Sequence, residues 1–176
     1  MKAARLSNGN AYDIAMLVNE VSDVVKDVTG RTALVFASKL LHFCSIDLFP
    51  VIDKYAENEL AKVFSSLNDK DATVIQGIRL EINRELILEL WWESYQEVYN
   101  QYWHDGITGV ELLKVLEENH PDKYRELQSR MGNDRYMLFV RDILCLQQAI
   151  CHEGGTCFSL RELDRYLYGR NYFKLG

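Results

Sequence analysis

Proline is nearly absent, with two in 176 residues, so little in the chain interrupts helices. No apolar run reaches about 18 residues, which excludes a membrane-spanning helix. The opening MKAARLSNGNAYD lacks the apolar centre of a signal peptide. The four cysteines follow no repeating pattern. Together these point to a reducing, cytoplasmic setting. There is no period-two alternation of apolar and polar residues and no internal repeat, so neither a sheet protein nor a solenoid is expected. Basic residues are outnumbered, and the net charge of −6 argues against a broad nucleic-acid surface, though not against a local basic face. Hydrophobic residues nevertheless make up 48 % of the chain, which places it among globular rather than disordered proteins.

What is present is helical periodicity almost throughout. Residues 1–10 read as a loose leader with a Ser-Asn-Gly-Asn turn signal. A first helix is expected from about Ala11 to Lys26, with Ile14, Leu17, Val18, Val21, Val24 and Val25 on one side. Arg31 to Cys44 is apolar nearly all round and reads as a central, buried helix. A third helix runs from about Val51 to Ser65, and a long fourth from about Ala72 to Trp103, capped by Asp69 or Asp71 and bent or broken near Gly77. Thr108 and Glu111 form a capping-box pattern for a short helix to about Glu118. Pro121 suits a first helical residue, Gly132 a stop and Asp134 a cap for a helix to about Cys151. Ser159 with Glu162 opens a last helix to about Tyr168. The expectation is one all-α domain over residues 1–176, a compact bundle of about eight helices.

Few residues carry chemistry. Cys145, Cys151, His152 and Cys157 lie close in sequence, but no CxxC pair exists, so buried thiols are expected rather than a metal site. His42 and Cys44, two apart on a helix, point to different sides and form no nucleophile pair. Gly154-Gly155 follows no strand and is no phosphate loop, and no Glu-x-x-His pair suggests di-iron chemistry, so no cofactor is expected. Glu81, Glu85, Glu89 and Glu93 recur every four positions, as on a solvated helix face. Trp91, Tyr95, Val98, Tyr99 and Tyr102 share a face at helical spacing. Such a stripe packs a core or stacks an extruded base. Lys39 lies inside the apolar helix among Val35, Phe36, His42 and Phe43, where an amine loses charge more readily and becomes a nucleophile, or is simply held in a structural contact. Asp53, after Phe49-Pro50, falls at the start of a helix, where backbone N–H groups keep a carboxylate ionised. There it activates water, stabilises a cation, or serves as a structural partner.

Arg31-Thr32-Ala33, followed by Phe49-Pro50-Val51-Ile52-Asp53, with 22 residues from Arg31 to Asp53, resembles the helix-hairpin-helix DNA glycosylase superfamily. It is most similar there to the adenine and endonuclease III-type enzymes. The segment SKLLHFCSIDLFPVID and the C-terminal SLRELDRYLY also look like bacterial and phage proteins related to that superfamily. The resemblance implies part of that fold, with Asp53 as the catalytic carboxylate; Lys39, two helical turns after the family's lysine column, does not match it and is expected to assist on the strength of its apolar surroundings. It implies a DNA-binding hairpin at Thr29, Gly30, Arg31 and Thr32; for a base extruded towards Asp53, the aromatic stripe offers Trp91, Tyr95 and Tyr99 as the pocket wall. The chain departs from the pattern where Asp27-Val28-Thr29 replaces the hairpin's Gly-x-Gly and where the family's column for a Schiff-base lysine holds Arg31.

Two functions follow. One is a monofunctional N-glycosylase acting on a flipped DNA base. The other is a catalytically silent helical scaffold that binds a protein partner, as in phage–host conflict. A basic cleft converging on Asp53 marks the first; an exposed apolar patch with Asp53 paired and sealed marks the second.

Overall fold

The computed structural model describes residues 11–31, 33–45, 48–152, 159, 162–163 and 165–167. Of these, 84 % are helical and none is in a strand. The helices are α1 (Ala11–Thr29), α2 (Leu34–Cys44), α3 (Lys54–Ser65), α4 (Asp69–Ser94), α5 (Gln96–Tyr102), α6 (Gly109–Asn119), α7 (Pro121–Asn133) and α8 (Arg135–His152). Residues 162–163 and 165–167 are also helical.

α8 is the centre of the packing. It lies against α1, α3, α4 and α7. Tyr136, Met137, Phe139, Val140, Ile143, Cys145 and Leu146 are all buried, covering more than half its circumference, which only a helix surrounded by others can satisfy. α4 runs beside it, about 39 Å long at 1.5 Å per residue, and presents Ile82, Leu86, Leu90 and Trp91 inward. Each such Leu or Ile contributes about 1.5–3 kcal/mol on burial. α6 and α7 pack on the C-terminal half of the bundle through Leu112, Leu116 and Leu127.

Local signals set most helix ends. Thr108 Oγ1 accepts from the Glu111 N–H at 3.2 Å while Glu111 Oε2 accepts from the Thr108 N–H at 2.9 Å, a complete capping box. The Ser159–Glu162 pair repeats it at 3.2 and 2.7 Å. Pro121 is the first residue of α7, where a missing N–H costs nothing. Asp134 Oδ1 accepts from the Met137 N–H at the start of α8. Gly30, at φ +70°, closes α1 by donating its N–H to Lys26 O at 2.7 Å, a left-handed conformation that suits glycine.

Three expectations need correction. α4 passes unbroken through Gly77 and breaks at Tyr95, and its cap is Asn68 rather than Asp69 or Asp71. The large apolar side chains from Ile82 to Trp91 hold the helix against α8, so one glycine does not bend it. α2 is not central: among its residues only Ala37 and Ser38 are buried, because α2 packs along α1 at the edge of the bundle. Cys151 is disulfide-bonded rather than a free thiol, Cys145 is a buried free thiol, and Cys44 is exposed; Cys157 lies outside the described residues.

Candidate functional site

The stretch from α2 to α3 is where the sequence concentrates its candidate chemistry. Phe49, Pro50, Val51, Ile52 and Asp53 form a buried, extended segment between these helices. Buried backbone needs partners, and side chains supply them. The His42 Nδ1–H donates to Phe49 O at 2.7 Å; a carbonyl can only accept, which fixes the proton on Nδ1. The Tyr136 hydroxyl donates to Pro50 O at 2.8 Å. The Ile52 N–H donates to Ser38 Oγ at 3.3 Å, and that hydroxyl donates in turn to Val35 O at 3.0 Å. Ser38 and His42 are four residues apart, so they share one face of α2, and that face grips the segment.

Asp53 caps α3. Its Oδ1 accepts from the N–H groups of Tyr55 at 2.9 Å and Ala56 at 2.8 Å, and the residue is 8 % exposed. Lys39, the next residue after Ser38 and about 100° further round α2, is exposed. It makes no hydrogen bond or ion pair among the described residues. Asp53 and Lys39 are therefore not brought together: one is sealed inside the α2–α3 joint and the other faces solvent.

The hairpin between α1 and α2 is at the surface. Thr29 is exposed and its hydroxyl donates to Val25 O at 2.7 Å, Gly30 and Arg31 are exposed, and Thr32 lies outside the described residues. Exposed Asp23 and Asp27 share this end of α1 with Lys26 and Arg31, so the hairpin carries no surplus positive charge.

The aromatic stripe packs inward on its own neighbours. Trp91 is fully buried, its ring 5.7 Å from that of Tyr95 and 6.2 Å from that of His120. Tyr95 donates its hydroxyl to Glu126 Oε2 at 2.7 Å, and Lys123 Nζ sits 4.2 Å over its ring. That hydrogen bond raises the pKa of the Tyr95 hydroxyl. Tyr99 is half-buried and meets Trp92 edge-on at 5.5 Å. These contacts join α4, α5 and α7.

Two clefts flank the α7–α8 corner. One, of about 420 Å³, is lined by Leu60, Phe64, Asn133, Phe139 and Asp142, with the Arg135–Glu57 pair at its edge. That pair is bidentate at 2.8 and 2.5 Å and raises the pKa of Arg135. The other, of about 620 Å³, lies between α1 and the corner and is lined by Asn19, Ser22, Asp23, Arg130 and Asp134 among others. Its charges alternate in sign, and Asn19 Nδ2 already donates to Asp134 Oδ2 at 2.6 Å. Neither is lined by Asp53, Lys39, Trp91, Tyr95 or Tyr99.

Sequence reasoning missed the role of Ser38. Its signal was present: Ser38 and His42 are polar residues at helical spacing on an otherwise apolar helix. The consequence is that α2 is inverted. Its polar pair faces in, and Phe36, Leu40 and Phe43, at i, i+4 and i+7, face out at 55, 44 and 84 % exposure. Val24 and Val28 are also exposed, on α1, which packs against α2. No helix among the described residues is long and apolar enough to cross a membrane. No protein-family model matches this chain, and neither does any curated protein or solved structure.

Proposed function

We propose that this chain is a non-catalytic helical scaffold whose business is binding another protein, with the outer face of α2 as the contact surface. The observation that carries this reading is the inversion of α2. Three large apolar side chains on one stripe stand in water while Ser38 and His42 turn to the buried segment before α3. At these exposures the stripe leaves on the order of 300 Å² of apolar side chain in water, comparable to the largest patch on a typical monomer, which is often functional.

Glycosidic bond hydrolysis has the geometry against it. A carboxylate that supports a developing cation must face the reacting atom. Asp53 instead spends Oδ1 on two backbone N–H groups, in a buried joint. A base wall needs an open ring face, and Trp91 has none.

The two readings separate in one pair of measurements. A photo-crosslinking amino acid placed at Leu40 in the source cells should give a discrete protein adduct that Phe36→Ser removes. Incubation with DNA carrying modified bases, followed by hot alkali, should give no more strand breaks than Asp53→Asn gives. Breaks that disappear in Asp53→Asn, with no protein adduct at Leu40, would overturn the scaffold reading.

A further inference from the structure

The charge on the α2 stripe says what kind of partner fits it, given that the stripe is a docking surface. Phe36, Leu40 and Phe43 span about 10 Å of helix axis, and exposed Lys39 flanks the stripe, about 40° round the helix from Phe43 and about 60° from Phe36. From Gly30 to Ser45 the chain carries Arg31 and Lys39 and no acidic residue, within a chain of net charge −6. Lys39 makes no ion pair among the described residues. Any partner that covers the three apolar side chains also takes water from around the Lys39 ammonium. Burying an unpaired charge is costly, so a fitting partner must bring its own anion to that point.

We infer that the α2 face receives an acidic amphipathic helix from another protein, with its apolar side chains against Phe36, Leu40 and Phe43 and a carboxylate on Lys39. A short convex stripe with anchors at i, i+4 and i+7 is the counterpart that helix-to-helix recognition uses. Two other occupants fit less well. A second copy of this chain, docked about a two-fold axis through the stripe, brings a second Lys39 and no acidic residue of α2 to the contact. An anionic lipid surface repels a chain of net charge −6, and one lysine on the stripe is far from the basic face that interfacial helices carry.

The test uses the whole chain with an environment-sensitive fluorophore on Cys44, which is exposed next to Phe43 in sequence, whereas Cys145, the other free cysteine among the described residues, is buried. The probe is a synthetic helical peptide with leucines at i, i+3, i+4 and i+7 and glutamates flanking them. Its control replaces every glutamate by lysine. The acidic peptide should bind roughly 10-fold or more tightly than the basic one, and Lys39→Glu should reverse that order. Phe43→Ser, a surface change that leaves the circular dichroism spectrum intact, should weaken both. If Phe43→Ser weakens binding but Lys39→Glu leaves the order unchanged, docking stands and the acidic partner is wrong. If neither peptide shifts the label, docking at α2 fails as well. Binding to phosphatidylserine vesicles but not to peptide, or a mass that doubles with concentration and reverts in Phe36→Ser, overturns the inference in favour of lipid or a second copy.

Discussion

Asp53 and Cys145 show how the same side-chain chemistry serves structure. Asp53 is a helix cap, so the substitution that decides its role is not the removal of charge but the removal of the acceptor. Asn caps nearly as well as Asp, and Ala does not. Asp53→Asn is expected to leave stability within about half a kcal/mol, and Asp53→Ala to cost about 1 kcal/mol, read from urea midpoints at constant slope. Equal losses in both variants would mean that the carboxylate charge, not the cap, matters there. Cys145 is pushed up from 9.0 to about 11, first by burial and then by the Asp142 carboxylate, with Arg79 and Arg141 pulling the other way. A thiol whose folded pKa is raised holds its proton more tightly in the folded state. The stability it contributes is complete below the unfolded pKa near 9 and is lost as pH rises towards about 11. Cys145→Ala should therefore flatten the fall in stability across that window, measured by urea unfolding at several pH values. An alkaline fall as steep as in the unsubstituted protein would remove Cys145 as its cause.

Among the elements, α2 and α4 depart most from their sequence pattern. The apolar content of α2 suggests a core helix, yet its aromatic face is in water. Leu40→Ala should cost no more than about half a kcal/mol, while Leu90→Ala in α4 should cost about 2–5 kcal/mol, since Leu90 is fully buried. Comparable losses at the two positions would mean that α2 belongs to the core after all. α4 carries Gly77 in its interior, exposed and with nothing within 4 Å of where a Cβ would stand. Gly77→Ala should raise stability by roughly 0.5–1 kcal/mol, because it removes a backbone entropy cost and meets no neighbour. A thermal midpoint that falls instead would point to a bend at Gly77 in solution.

At the scale of the whole molecule, α8 ties the parts together, reaching α1, α3, α4 and α7. Tyr136 on α8 also holds the extended segment before α3 through Pro50 O. With one shared core, heat or denaturant should unfold the chain in a single transition, with far-UV circular dichroism and tryptophan fluorescence changing together. Two separated midpoints would show that the α1–α2 edge melts independently of the α4–α8 centre.

Local pattern by itself determined the class of fold and most helix ends. The capping boxes at Thr108–Glu111 and Ser159–Glu162, Pro121 at the first turn of α7 and Asp134 before α8 are short-range devices, complete within one helical turn. The stripe from Trp91 to Tyr102 read as core packing ahead of base stacking; Trp91 is in the core, and Tyr95, Val98, Tyr99 and Tyr102 pack against it partly buried. What only the tertiary structure decided is which face of each helix meets another. α2 is apolar on nearly every side, so periodicity cannot rank its faces. The choice fell to two hydrogen-bonding side chains, Ser38 and His42, that were needed against a buried backbone 14 and 7 residues further along the chain but adjacent in space. That demand turned Phe36, Leu40, Phe43 and Lys39 outward, and sealed Asp53 within. Burial of backbone polar groups is a long-range constraint, invisible until the partner segment is in place, and here it decides which side chains of α2 face the solvent and which face the joint with α3.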